Sequence, residues 1–344
     1  MERILLLLDV QPDGTLPKAA FEAVERVRTL ACALKGAVWS VGLVGGEVQA
    51  GGEAVGSCGA GRFYAVSGDE FRQPRYTSDA AAAEAICRTD GATLVVAPAT
   101  SRWSRALPGV AQRIGGAADT HVTGIDVADD GGIVVQRSYY RQRIDATQSR
   151  PRRPWILLLE GGSGKSWSGA PAACRLEALA PPGETVASRT TVAGIQAPQA
   201  EEQTIRPDAA LLFVAGAGWT KKQADGQVHA ADAGELILDF VRRSKCSLGS
   251  SKSLVDLAGE GHTVLPFLTH LHQVGQTGST PRHPKGLATC CHGEEPHVVG
   301  WRFISDRRAV NTDPNCGWAR GKADVLYVAD AFAVMRELRR LMGG

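Results

Sequence analysis

The residues whose types and spacing speak most directly of chemistry lie between Gln273 and Asn311. The run Gln273-Val274-Gly275-Gln276-Thr277-Gly278 is followed by Gly293, His297 and the turn Asn311-Thr-Asp313-Pro314. Glycines at 275 and 278 let backbone approach a ligand closely, and the loop's amides and hydroxyl present outward donors. Such a loop has little use in a plain hydrophobic core. Its chemistry suits a flavin dinucleotide.

Other stretches carry weaker signals. Ala215-Gly216-Ala217-Gly218 follows an apolar run and is a truncated G-x-G-x-x-G. Its value is positional, because ligands of open α/β sheets bind at the carboxyl ends of strands. Gly249-Ser-Ser251-Lys252-Ser-Leu-Val-Asp256 sets a hydroxyl beside a cation in a polar turn. Alone it reads as a solvated loop; with the 273–278 run close behind, it reads as a phosphate or reduced-flavin contact. Gly161-Gly-Ser-Gly164-Lys165-Ser166 is a near-miss to a phosphate-binding P-loop. Position 159 is Leu where that motif needs Gly, so the segment reads as a glycine-rich surface turn. His270, His272, His283, Cys290, Cys291, His292 and His297 cluster in sequence, but none has the helical spacing of a zinc protease. No metal site and no catalytic residue is expected. There is no G-x-S-x-G elbow for a hydrolase.

These residues need elements to hold them. The 344 residues suffice for two ordinary domains, and 44% hydrophobic content suits packed cores. A net charge of +2 does not mark a nucleic-acid binder. The eight cysteines include no C-x-x-C pair and suggest free thiols in a reducing cytoplasm. Ile4–Leu8 is too short for a signal segment and reads as a buried first strand. Strands are predicted at 38–44, 63–66, 93–97 and 155–160, with helices at 17–34, 78–88 (Ser78 and Asp79 as caps) and 104–114. The segments 121–127 and 133–137 read as a strand pair around Asp129-Asp-Gly-Gly132. From about 178 the periodicity weakens into a linker. A second α/β unit then opens with a strand at 209–215, continues with short strands at 287–289 and 307–310, and closes on a helix at 327–342. The fold expected is α/β: two domains, 1–205 and 206–344, each a mostly parallel sheet flanked by helices.

In this order the motifs resemble the alpha subunit of electron-transfer flavoproteins. That family's SGGRG turn falls on Val214–Gly218, its GASRAAVD on Gly249–Asp256, and its QVGQTG is intact at Gln273–Gly278. Its GISGAIQH falls on Cys290–His297, its N-K/T-D-P turn on Asn311–Pro314, and its V-A-D-Y-G on Lys322-Ala-Asp324-Val-Leu. In the first half, Val95–Ser101 is similar to the family's LLPATS, and Arg137-Ser-Tyr-Tyr-Arg to its RPVYAGN.

The resemblance implies an electron carrier that converts no substrate. It implies one FAD in a Rossmann-like C-terminal domain and a heterodimer with a beta subunit, which would hold the family's AMP. A flavin-dependent dehydrogenase would be the donor, a membrane quinone reductase the acceptor, and the setting catabolic. The FAD contacts implied are Gly216, Gly218, Ser251, Lys252, Gln273, Val274, Gly275, Gln276, Thr277, Gly278, His292, Gly293, His297, Asn311 and Asp324. Thr277 would donate toward flavin N5, Gln276 and the loop amides would hold the ring and ribityl chain, and Lys252 would stand in for an arginine that favours the reduced flavin. His297 would lie at the pyrimidine end. Ser251, Asn311 and Asp324 would take the phosphate and ribose portions.

The chain departs from the family pattern. Ala217 stands where the SGGRG arginine falls, and Lys lacks arginine's planar stacking at 252. His292 replaces a small serine. These departures would weaken FAD binding, relocate its phosphate contacts to Arg282, Lys285 or His292, or retune its potential. The alternative is a structural or regulatory subunit of the same family that has lost FAD.

Overall fold

The computed structural model describes residues 2–139, 144–162, 164–183, 190–194, 206, 209–256, 263–275, 281–289 and 304–343. The chain divides into two compact units, Met1–Ile195 and Gln196–Gly344.

The first unit is built on a nine-stranded sheet of order β7-β6-β5-β8-β4-β1-β2-β3-β9. Its parallel centre comprises β1 (Arg3–Asp9), β2 (Val38–Gly45), β3 (Arg62–Ser67), β4 (Leu94–Pro98) and β8 (Trp155–Leu159). β1 shows why its sequence is one unbroken apolar run. Ile4, Leu6 and Leu8 enter a core with Ala20, Val24 and Val27 of α1 (Lys18–Ala33). Leu5 and Leu7 enter a second core with Ile86 of α4 (Tyr76–Asp90) and Trp103 of α5 (Ser101–Arg113). Both faces are covered, so no polar face appears in the pattern. The sheet is extended by β5 (Ala117–Val127), β6 (Ile133–Tyr139) and β7 (Ile144–Gln148), with β5–β6 and β6–β7 antiparallel. A short strand β9 (Leu176–Ala178) pairs with β3 at the other edge. Two further helices, α2 (Gln49–Ala54) and α3 (Asp69–Arg72), complete the described elements of this unit.

The second unit carries a five-stranded, all-parallel sheet of order β11-β10-β12-β13-β14. The strands are β10 (Leu211–Ala215), β11 (Ser247–Ser250), β12 (Lys285–Thr289), β13 (Asp306–Asn311) and β14 (Val325–Val328). Phe213 and Ala215 pack with α6 (Ala230–Ser244) and α9 (Ala331–Leu341). Leu212 and Val214 face the other core, with Ala319 of α8 (Gly317–Lys322). A short helix α7 (Lys252–Asp256) follows β11.

Several expectations change. Ser78 and Asp79 lie inside α4 rather than at its N-cap, which is Arg75, although Asp79 Oδ2 accepts the Arg75 N–H at 2.9 Å. Asp79 is fully buried because Arg102 claims it, at 2.6 Å. The polar turn expected at Gly249–Ser253 is instead the end of β11 and the start of α7. Small residues are needed there: a Cβ on Gly249 would come within 2.6 Å of Val274 Cγ2. The helix expected from Tyr327 begins only at Ala331, because Val325–Val328 pairs with β13. Among the described residues no helix is long and apolar enough to cross a membrane.

Candidate functional site

In a parallel sheet every strand ends at the same edge, and the loops leaving that edge are neighbours whatever their sequence separation. In the second unit those ends are Ala215, Ser250, Thr289, Asn311 and Val328. Backbone bonds stitch the departing loops together. Gly216 N–H donates to Thr289 O at 2.8 Å, and Ser251 N–H to Ala215 O at 2.8 Å. Val274 N–H donates to Ser250 O at 3.0 Å, and Ser250 and Gln273 form a parallel bridge. Ala329 N–H donates to Asn311 O at 3.1 Å.

This edge therefore gathers Gly216, Gly218, Ser251, Lys252, Gln273, Val274, Gly275 and Asn311. Gly216 and Gly218 belong to a tight 3-10 turn, Ala217–Thr220, leaving β10. Ser251 is buried and its Oγ accepts the Leu254 N–H at 3.3 Å, capping α7. Gly275 sits at φ 137°, a conformation that favours glycine. Asn311 is buried, and its Oδ1 accepts the Asp313 N–H at 2.9 Å, fixing the turn after β13. Lys252 is half exposed, and its Nζ lies 3.6 Å from Asp256 Oδ2. His270 Nδ1 is 3.7 Å from the other oxygen of the same carboxylate. The site's fixed cation thus has a carboxylate neighbour. Gln276, Thr277, Gly278, His292, Gly293 and His297 lie outside the described residues.

Asp324 does not join this group. It precedes β14 at the amino edge of the sheet, where its carboxylate accepts from Arg307 N–H at 2.7 Å and from the Arg307 guanidinium at 2.8 Å. These bonds hold the Asp324 carboxyl below the usual range. Lys285 opens β12 at that same amino edge. The carboxylate that does follow the carboxyl end of β14 is Asp330, whose Oδ1 accepts the Ala333 N–H at 2.8 Å and caps α9. An Asp before a helical Ala-Phe-Ala-Val-Met run is an N-cap signal.

Two more residues at the edge had no motif to announce them. Thr289, fully buried, accepts from Trp219 Nε1 at 2.9 Å and donates to Val214 O at 3.2 Å. Ser250 is also fully buried, yet its Oγ has no hydrogen-bond partner among the described residues. Native interiors leave few such atoms unpaired, and a ligand at the site is one way to satisfy them. With the unpartnered Ser250 hydroxyl and the Lys252 cation at this edge, the donor set fits a ligand rich in hydrogen-bond acceptors, such as a flavin dinucleotide.

The remaining candidates separate. His283 is within 2.8 Å of Ser247 Oγ and 3.0 Å of Arg206 O at the amino end of β11, whereas His270 and His272 precede Gln273 at the carboxyl end. The histidines clustered in sequence thus fall on opposite edges. The Cys87 thiol is pushed up to about 12 by burial, which leaves it without nucleophilic character at neutral pH. In the first unit a cavity of about 240 Å³ beside Gly164 and Lys165 is lined by Glu22, Glu25 and Glu160 together with Arg26. Glu22 Oε2 already accepts the Gly162 N–H at 2.6 Å. A carboxylate occupies a donor that a P-loop would offer to phosphate, and two more repel an anion.

Comparison with known proteins gives one family. A family model described as the electron transfer flavoprotein domain matches residues 4–187. The match covers most of the first unit; the carboxyl edge of the second unit lies beyond it. No curated protein matches the chain.

Proposed function

Because the chain belongs to the electron transfer flavoprotein domain family, we propose that it is an alpha-type subunit of an electron-transfer flavoprotein that holds FAD at the carboxyl edge of its second sheet. Members of this family are electron carriers, so the first unit supports electron transfer rather than substrate conversion. One observation carries the flavin reading: main-chain hydrogen bonds tie Gly216, Ser251 and the Gln273–Gly275 loop to the neighbouring strand ends Thr289, Ala215 and Ser250 at one edge.

When bound, FAD supplies the redox chemistry; the chain supplies position and electrostatics. Gly216, Gly218 and Gly275 bring backbone close to the cofactor. Ser251 and Asn311 offer polar contacts to its phosphate and ribose portions. Lys252 lends positive charge that favours the reduced, more negative flavin, moderated by Asp256. Gln276, Thr277, Gly278, His292, Gly293 and His297 complete the contact set in this reading. A beta-type subunit is the proposed partner, a flavin-dependent dehydrogenase of a catabolic system the donor and a membrane quinone reductase the acceptor.

The alternative, a subunit of the same family without FAD, draws support from Ala217, which is buried where the family carries an arginine. Coexpression with a beta-type chain and an absorption spectrum of the purified complex test the two. A flavin spectrum supports the carrier; a colourless, folded heterodimer supports the alternative.

A further inference from the structure

His272 ends the short 3-10 turn His270–His272, immediately before Gln273. It is 3% exposed. Its Nδ1 accepts the Thr269 backbone N–H at 3.1 Å, with Thr269 Oγ1 also within 3.3 Å. An Nδ1 lone pair held by a backbone donor fixes the neutral ring as the tautomer with its proton on Nε2. That Nε2–H is buried and has no partner among the described residues. Burial lowers the imidazole's affinity for a second proton. An apolar residue of similar size would fill the space without stranding a donor.

Charge restricts what the donor can serve. A phosphate would draw the ring toward the imidazolium form. Protonating Nδ1 would then turn an N–H against the Thr269 N–H that now donates to it. The ring is therefore built for a neutral acceptor, a carbonyl or a hydroxyl. Its covalent neighbour Gln273 opens the glycine loop and bridges to Ser250, whose Oγ is likewise buried without a partner.

We infer that His272 is a cofactor-binding residue whose Nε2–H donates to a carbonyl or hydroxyl on the isoalloxazine–ribityl half of the flavin, not to its pyrophosphate. This rests on the flavin reading above. The ligand would thus complete two buried polar atoms that lack partners among the described residues, His272 Nε2 and Ser250 Oγ, linked through the Ser250–Gln273 bridge.

The test uses the full-length chain, purified as expressed with its beta-type partner and stripped of flavin. His272→Leu should weaken FAD and riboflavin binding by about tenfold, leave ADP binding within about twofold, and raise the melting temperature of the flavin-free protein. His272→Gln, which keeps an N–H donor, should recover most of the riboflavin affinity. A second readout needs no variant: the ¹⁵N-labelled imidazole Nε2–H resonance of His272 should shift when riboflavin is added. Unchanged riboflavin affinity in His272→Leu, an equal loss for ADP, or an unmoved resonance overturns the inference while leaving the flavin reading intact. A wild-type complex that takes up no flavin overturns both.

Discussion

Lys252 Nζ stands 3.6 Å from Asp256 Oδ2, one helical turn away. The cation best placed at the proposed cofactor edge is thus partly neutralised by its own helix. Both side chains are substantially exposed, so the pair contributes little to stability. Its consequence is electrostatic. Asp256→Asn leaves Lys252 unopposed and is expected to raise the flavin's reduction potential by roughly 20–60 mV, and Lys252→Ala to lower it by a similar amount. Potentiometric titration of the complex checks both. A downward shift for Asp256→Asn contradicts the assignment of Lys252 to the cofactor's surroundings.

Gly249 is the close approach that lets the loop seat. A Cβ there would meet Val274 Cγ2 at 2.6 Å. Gly249→Val is expected to destabilise the protein by about 1–3 kcal/mol by overpacking, and to weaken flavin retention as the loop is pushed off Ser250. Denaturant unfolding reads the first effect, released flavin the second. Full flavin retention with unchanged stability would contradict the packing described.

The two aspartates flanking β14 should behave differently. Asp330 follows its carboxyl end and caps α9; Asp324 binds Arg307 at the amino end. Asp330→Ala is expected to cost about 1 kcal/mol as a lost cap and to weaken flavin affinity, while Asp324→Ala leaves flavin affinity unchanged. Calorimetric titration with FAD on the flavin-free complex distinguishes them. An affinity loss confined to Asp324→Ala would reverse the placement.

In the first unit, burial pushes the Asp9 carboxyl above its ordinary value of 3.8, against the opposing pull of the Arg102 charge and the Thr100 hydroxyl; Asp79 adds to the rise. The sign follows from linkage. Below 3.8 the carboxyl is protonated folded and unfolded alike, so it favours neither state. As pH climbs above 3.8 the unfolded chain ionises first, and stability is lost until the folded carboxyl also ionises. Asp9→Asn removes that penalty and still accepts from Thr100. The variant should unfold at higher temperature than wild type at neutral pH, with the advantage vanishing in acid. Thermal melts across pH check it; a destabilised variant at neutral pH would contradict it.

The sequence revealed the elements whose residues carry strong local signals. The Ile4–Leu8 run announced a strand buried on both faces, and the alternation about Asp129–Gly132 announced an antiparallel pair. β11 was illegible because Ser247-Leu-Gly-Ser250 is short and small; its strand character comes from pairing with β10, a tertiary effect. β14 was absorbed into the following helix, since Val328 stands four residues before Phe332 and Met335 three beyond it, a helical spacing. The loops of the candidate site carry recognisable residue patterns, but nothing local in those patterns says which edge of the sheet they leave. Asp324 matched a family pattern, yet strand direction, which no local pattern encodes, puts it at the wrong end of β14. Ser250, Thr289 and His272 matched nothing; what makes them notable is burial and hydrogen bonding, both properties of the folded chain.

The central claim is that the second unit holds flavin. Release of the cofactor from the purified, coexpressed complex by acid or heat, followed by chromatographic identification and quantitation against protein, tests it most directly. The account predicts about one FAD per chain, lost on disruption of the Gln273–Gly278 loop. A folded complex that yields no flavin, or one whose flavin survives loss of that loop, would contradict it.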